Sequence, residues 1–202
     1  MTSGEKNSAN FKLNDIVGET ATGKFASEGY VITTGLPYLA GVSCFTFSLS
    51  TTKIDFGDLT PNHPAVQSAQ IIVQNGLNHG YEVFAGELKP LTSQGQATIP
   101  DTSCDSDKTA CTPAKALPWT RSDRFGFGFG MVGKGITVDF ADSSYFRPFA
   151  NLAKSETPAI IMESQAHKIT HQATINYKVN VSSSEPVGQY QNTISFIAVP
   201  GF

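Results

Sequence analysis

The segment CDSDKTAC, residues 104–111, holds two cysteines seven positions apart with acidic residues between them. Zinc prefers four soft ligands, and only two cysteines occur here with no histidine close by. Calcium prefers oxygen ligands at regular spacing; Asp101, Asp105 and Asp107 offer some, but no glycine turn of the EF-hand type follows. A redox pair is typically CxxC at the start of a helix, not CxxxxxxC in a loop. The pattern therefore predicts a disulfide between Cys104 and Cys111 and no metal site.

This predicted disulfide has consequences for stability and location. Closing an eight-residue loop contributes about 2.5 kcal/mol in the chain-entropy model. Such a bond persists only in an oxidising compartment, so we expect the protein to be extracellular or at the cell surface. Cys44, the remaining cysteine, is expected to be a buried free thiol.

The segment GFGMVGKG, residues 128–135, matches two phosphate-binding patterns, GxGxxG and GxxxxGK. Both patterns depend on a helix after the glycine turn, because the N–H groups at its N-terminus bind the anion. Residues 135–138 favour strand or turn, and Gly135 occupies the position where Ser or Thr would hold magnesium. Alternating Phe and Gly is typical of a strand whose glycine face lies under a bulky neighbour. We therefore expect no nucleotide and no other cofactor.

Other residues that could bind a metal or act in catalysis have structural interpretations. His167 and His171 would lie about 13 Å apart on a strand, too far for one metal ion, and are expected to be exposed. Asp139 and Asp142 could lie near each other, but acids at turns are the usual case. The chain has no GxSxG and no HExxH pattern, so the sequence predicts that the protein is not an enzyme.

Three aromatic residues could form a ligand platform. Trp119, Tyr145 and Phe146 would stack on a sugar ring if their faces were exposed, although a lone Trp in a sandwich is more often in the core. This hypothesis predicts a surface glycan or a host-cell receptor as the partner, bound beside the long loop.

Composition excludes several classes of partner. The chain has 202 residues, a net charge of −3 and 15% charged residues, compared with about 25% in typical soluble domains. No basic stripe indicates nucleic-acid binding, and no apolar run approaches the ~18 residues that span a membrane. The polar start lacks a secretory signal core. Met1 thus begins either a cytosolic protein or a trimmed extracellular one, and the composition favours the second.

Short runs of alternating apolar and polar residues, bounded by Gly, Pro, Asn and Ser, predict β-strands and no long helix. The turn residues NGLNH predict a hairpin between two of these strands, and a short helical turn is expected around 144–153. The pattern favours an all-β fold, an Ig-like or jelly-roll-type antiparallel β-sandwich with a disulfide-stapled loop in an irregular excursion, 89–124. The predicted strands are 8–13, 30–36, 45–50, 54–59, 68–75, 80–88, 125–131, 136–140, 158–164, 173–181 and 190–199.

Both ends of the chain resemble surface β-sandwich proteins secreted by Gram-positive-type and candidate-phyla bacteria. VNVSSSEPVGQYQNTISFIAVPGF, residues 179–202, resembles their closing hairpin, with a valine-rich strand, a Pro-x-Gly turn and an aromatic-Ile-Ala strand. SANFKLNDIVGETATGKFASEGYVITTGL, residues 8–36, resembles their opening segment, and FSLSTTKIDFGDLTP and GYEVFAGELKPL fit the same pattern. The resemblance implies a surface, adhesive or appendage protein, not a particular chemistry.

The N-terminal segment suggests a mode of assembly. We expect an N-terminal strand segment, 1–36, followed by a sandwich domain, 37–202. Phe11 and Leu13 fall on one face of SANFKL, which can therefore pair as a strand, and the chain after it reaches ~3.3 Å per residue. Donation of this strand to an open sheet edge of an adjacent copy predicts a polymerising subunit. Folding back onto its own sheet predicts a monomer.

Three classes of function stay open at this point. The chain could be a structural or adhesive surface subunit, a carbohydrate- or ligand-binding module with Trp119 at its site, or a secreted hydrolase. Composition and the lack of active-site patterns favour the first class.

Overall fold

The computed structural model describes residues 45–201, apart from 78 and 108, and the backbone of four short strands between residues 4 and 34. Cys44 and Phe11, the latter predicted for the assembly strand, lie outside the described residues. The strands are β1 Gly4–Asn7, β2 Lys12–Asp15, β3 Gly23–Ser27, β4 Tyr30–Thr34, β5 Phe45–Leu49, β6 Ala65–Asn75, β7 Tyr81–Glu87, β8 Leu91–Ser93, β9 Thr98–Ile99, β10 Leu117–Pro118, β11 Gly126–Gly133, β12 Tyr145–Phe146, β13 Ala150–Asn151, β14 Ala159–Ser164, β15 Ile169–Asn180, β16 Tyr190–Gln191 and β17 Ile194–Pro200.

The chain divides into two compact units, Met1–Ser43 and Cys44–Phe202. The first unit contains two antiparallel pairs, β1 with β2 and β3 with β4. Leu13, the other residue predicted for the assembly strand, lies in β2 opposite Lys6.

The second unit contains two larger sheets. Sheet 1 has the order β11–β15–β6–β5 and is antiparallel throughout. The predicted faces of its strands are confirmed, because the side chains that alternate inward along 173–181 are all buried. These side chains are Ala173, Ile175, Tyr177, Val179 and Val181.

Sheet 2 is built around β7. Strand β17 pairs with one edge of β7 in the antiparallel sense over its whole length. On the other edge, β14 pairs antiparallel with the first part of β7, and β13 pairs parallel with its last two residues. Smaller ladders join β8 to both β16 and β9, and β10 to β12.

Apolar side chains from both sheets form one core cluster. Ile71 and Val73 of sheet 1 and Val83 and Ile161 of sheet 2 are fully buried within it. Two sheets that share one core between their inner faces are the layers of a β-sandwich. Strands make up 49% of the chain, and no α-helix occurs among the described residues, so the predicted all-β class is confirmed.

Two predicted hairpins are wrong. The turn after Asn75 carries the chain from β6 in sheet 1 to β7 in sheet 2. Likewise, residues 179 and 180 end β15 of sheet 1, whereas residues 190–200 contain β16 and β17, which pair with β8 and β7. Both connections cross between sheets. Local alternation identifies a strand and its inner face but does not determine which strand it pairs with. A short link between two predicted strands therefore suggested a hairpin in both cases.

Two predicted strands are absent from the described structure. Residues 54–59 form no strand, and the side chains of Ile54, Phe56 and Leu59 instead pack against the core from an irregular segment. Residues 136–140 make a single bridge, Ile136 with Met162. The expected helical turn reduces to a 3₁₀ turn at Leu152–Lys154, after the short strands β12 and β13.

Strand β11 confirms the strand interpretation of the Phe–Gly alternation. Its phenylalanines point into the core, where the ring centroids of Phe129 and Phe149 lie 4.1 Å apart. Two of its glycines, Gly128 and Gly130, lie against the backbone of residues 145–147. A Cβ added to Gly130 would come within 2.5 Å of the Tyr145 carbonyl oxygen. The predicted bulky neighbour is thus a backbone segment. It can approach the strand this closely only because the strand has glycine at these positions.

Candidate functional site

The predicted disulfide is present. Cys104 and Cys111 are bonded with a Cα–Cα distance of 5.8 Å. Cys104 is fully buried, so the bond lies inside the protein and not on an exposed loop. The excursion 89–124 therefore folds back on the sandwich and closes over the bond.

Around the disulfide lies a second, smaller apolar cluster, which we call the cap. Its buried members are Cys104, Cys111, Trp119 and Phe146, with Leu117 packed against them. The Trp119 and Phe146 rings meet edge to face, with centroids 5.7 Å apart. Backbone pairing of β10 with β12 holds these two segments together.

The cap corrects the predicted ligand platform. The structure brings Trp119, Tyr145 and Phe146 together, but Trp119 is only 1% exposed and Phe146 is buried as well. Only Tyr145 is half-buried. Because the faces of the Trp119 and Phe146 rings are covered, they do not offer a stacking surface to a sugar.

Lys178 contacts the cap from sheet 1, and sequence reasoning missed it. It lies on the outer face of β15, opposite Gly128 of β11, and is nevertheless buried. Its Nζ donates a hydrogen bond to the Trp119 carbonyl oxygen at 2.5 Å and lies 5.0 Å from the Phe146 ring centroid. Burial lowers the pKa of Lys178, and the nearby Asp105 carboxylate partly opposes that shift.

Two further polar side chains hold the cap in place, Asn180 from sheet 1 and Asp105 from the excursion itself. Asn180 Nδ2 donates to the carbonyl oxygens of Ser122 and Arg124, at 2.8 and 2.6 Å. Asp105 accepts the Thr120 backbone N–H at 2.7 Å and its hydroxyl at 2.8 Å. Although partial burial opposes it, these hydrogen bonds hold the pKa of Asp105 below its ordinary value. The cap is thus a structural element anchored by these hydrogen bonds, with the Asn180 Oδ1 atom buried and unpaired.

The acids considered for catalysis have separate structural partners. Asp139 accepts hydrogen bonds from Arg147 Nη1 and the Ala116 backbone N–H, both at 2.8 Å. Asp142 instead accepts the Ser144 N–H and hydroxyl at a turn. Arg147 is buried, and its guanidinium lies 4.6 Å from the Phe140 ring centroid. Asp139 therefore links the segments that contain Ala116 and Arg147, whereas Asp142 stabilises its own turn.

The two histidines also differ from each other. His167 is exposed as predicted, whereas His171 is half-buried on β15, so the prediction of an exposed side chain is wrong for it. A hydrogen bond of 2.7 Å joins His171 Nδ1 to the Tyr81 hydroxyl. Burial, followed by the charge of Lys134, lowers the pKa of His171. Within the described residues, no group of three or more His, Cys, Asp or Glu side chains could hold a metal ion.

The two long sides of the sandwich are closed to different degrees. On the side of β11 and β14, the segment after β11 covers the β14 edge, with Glu163 N–H donating to the Gly135 carbonyl oxygen at 2.7 Å. On the opposite side lie β5 of sheet 1 and β17 of sheet 2. Among the described strands, β5 pairs only with β6 and β17 only with β7. We call this side the seam.

Apolar side chains line the seam without being fully buried. The rings of Phe47 on β5 and Phe196 on β17 face each other across it, with centroids 6.1 Å apart. All of the inward side chains on these two edge strands are half-buried, in contrast to the fully buried ones on β6 and β7. These half-buried side chains are Phe45, Phe47, Leu49, Ile194, Phe196 and Ala198.

Among the described residues, the fold holds no helix with the length and apolar character needed to cross a membrane. Comparison of the chain with protein-family models, with curated proteins and with solved structures found no match.

Proposed function

We propose that this protein is an extracellular structural subunit that self-associates by accepting a β-strand at the seam. The observation that carries the proposal is the juxtaposition of two edge strands, β5 and β17, over a half-buried apolar lining. An edge strand presents unpaired N–H and C=O groups, and an added strand satisfies them while its alternate side chains enter the pockets below.

The lining of the seam favours an apolar, strand-forming partner. Removing apolar surface from water contributes about 25 cal/mol per Å², and three of the half-buried side chains are phenylalanines, Phe45, Phe47 and Phe196. Native sheets usually protect an edge with charges, proline or a covering loop. No charged residue occurs within β5 or β17, and the only proline lies at the end of β17. The edges therefore lack the usual protection against strand addition.

The incoming strand is supplied, in this proposal, by the N-terminal segment of a second copy, residues 1–36. Its sequence alternates at Phe11 and Leu13, which suits a strand with one apolar face. The oxidising environment that the Cys104–Cys111 bond requires supports an extracellular role. The ligand-binding alternative loses its proposed platform, since Trp119 and Phe146 are buried.

The test compares two lysine substitutions on the same strand of the full-length protein. Phe47→Lys places a charge in the seam, whereas Thr46→Lys places it on the exposed outer face of β5. Light scattering over a concentration series should show association for the wild type and for Thr46→Lys. Association should be at least about tenfold weaker for Phe47→Lys, because burying an unpaired charge in the seam costs free energy.

Phe196→Lys on the facing strand should reproduce the loss. Thermal melting checks that each variant still folds. A full-length protein that stays monomeric at high concentration would refute self-association. Equal association of Phe47→Lys and Thr46→Lys would refute the seam as its site. If deletion of residues 1–36 left association unchanged, the incoming strand would come from another part of the second copy.

A further inference from the structure

Glu87 is a fully buried acid at a junction of sheet 2. It is the last residue of β7, pairing with Ile194 of β17 on one side and with Asn151 of β13 on the other. Its exposed fraction is 0%. A buried carboxylate without compensating partners is strongly destabilising, so the stability of this site depends on the partners of both Glu87 oxygens.

The two oxygens of Glu87 have different surroundings. Oε2 accepts a hydrogen bond from Asn192 Nδ2 at 2.6 Å, at the start of the segment that leads into β17. Oε1 is buried and has no donor directed at it. An ionised Glu87 would therefore leave one charged oxygen unpaired in the interior. A protonated Glu87 would instead carry an O–H group there, which needs an acceptor and not a donor.

Asp101 supplies that acceptor. Its side chain is in hydrogen-bonding contact with Glu87, and its backbone bridges Phe127 of β11. A contact between two carboxyl groups is attractive only if one of them carries a proton. We infer that Glu87 and Asp101 share a single proton in the folded protein, with a neutral Glu87 donating from Oε1 to an ionised Asp101, so that this bond ties sheet 2 to sheet 1.

The other charged groups around the pair are Glu156 and Lys154, which follow β13. Glu156 accepts the Asn151 backbone N–H at 2.8 Å, and its charge disfavours ionisation of both acids. Lys154 favours the ionised form of Asp101. These neighbours assign the proton to Glu87. Burial, and next the charge of Asp101, raise the pKa of Glu87 to about 8.

The shared proton makes the fold sensitive to pH independently of self-association. The unfolded chain releases the Glu87 proton near the ordinary pKa of 4.5, whereas the folded chain keeps it up to about pH 8. Between these values the folded state binds more protons, so stability falls as pH rises. We therefore expect the sandwich to be more stable at mildly acidic pH than at pH 8.

The experiment compares urea unfolding of the full-length protein at pH 5 to 8 with two isosteric variants. Glu87→Gln keeps a donor toward Asp101 and an acceptor for Asn192, but it cannot release a proton. The unfolding equilibrium constant of this variant should therefore rise less steeply with pH than that of the wild type. The difference between the two proteins amounts to a factor of up to about ten per pH unit. Glu163→Gln, at an exposed position on β14, should keep the wild-type slope.

Side-chain carboxyl NMR of the wild type gives a second readout that does not depend on a variant folding. The Glu87 carboxyl signal should stay in its protonated position at pH 6 and shift only near pH 8. A Glu87 titration near pH 4.5 would overturn the inference. So would a Glu87→Gln slope equal to that of Glu163→Gln.

Discussion

Lys178 Nζ lies 4.5 Å from the centroid of the Trp119 ring and donates a hydrogen bond to the carbonyl oxygen of the same residue. The lysine lies on the outer face of sheet 1, and the tryptophan belongs to the cap. The ammonium group of Lys178 thus holds the cap through two parts of Trp119, the face of its ring and its backbone carbonyl oxygen.

Replacing Lys178 by Met should lower the free energy of unfolding by about 1–3 kcal/mol, because the Trp119 carbonyl oxygen loses its donor while the methionine preserves most of the packing. Urea unfolding measures the change. Gln172→Met, at an exposed position of the same strand face, is the matched control and should differ from the wild type by less than about 0.5 kcal/mol. An unchanged stability for Lys178→Met would mean that the disulfide and the rings hold the cap without the ammonium group.

Removing the disulfide should also destabilise the protein. The double variant Cys104→Ser, Cys111→Ser is expected to lose about 2.5 kcal/mol, the contribution of closing an eight-residue loop. Because Trp119 is the single tryptophan and packs in the same cluster, its fluorescence reports the unfolding directly. Reductant should lower the stability of the wild type and leave the double variant unaffected. A wild type that is indifferent to reductant would show that the bond contributes little.

The inner faces of the strands could be predicted from the sequence because alternation is a local property. It placed Phe47 and Leu49 on one face of β5, and Ile175 and Val179 on one face of β15. The pairing of strands could not be predicted in this way. After Asn75 the chain crosses between sheets, and the local residues of a crossing and a hairpin look alike.

The buried polar residues were missed for a different reason. Lys178 occupies an outward position of its strand, which predicts exposure, and only the long-range folding of the cap over that face buries it. A signal was present in the facing strand: Gly128, its partner on β11, belongs to a run of outward glycines, which indicates that something covers this face. Glu87 has no comparable signal, since its proton-sharing partner Asp101 lies in an irregular segment.

The outward glycines of β11 provide the last prediction. At Gly130 an added Cβ would lie 2.5 Å from the Tyr145 carbonyl oxygen, a backbone atom that cannot move without displacing the segment over the strand. Gly130→Ala should therefore lower the free energy of unfolding by about 1–3 kcal/mol, as overpacking does in other cores. Gly95→Ala is the matched control, because its nearest neighbour would be the Ser93 hydroxyl at 3.8 Å. There alanine should be neutral or slightly stabilising, since it restricts the unfolded chain. Urea unfolding of both variants measures the difference. If Gly130→Ala were as stable as Gly95→Ala, residues 145–147 would not lie against β11 as closely as this fold requires.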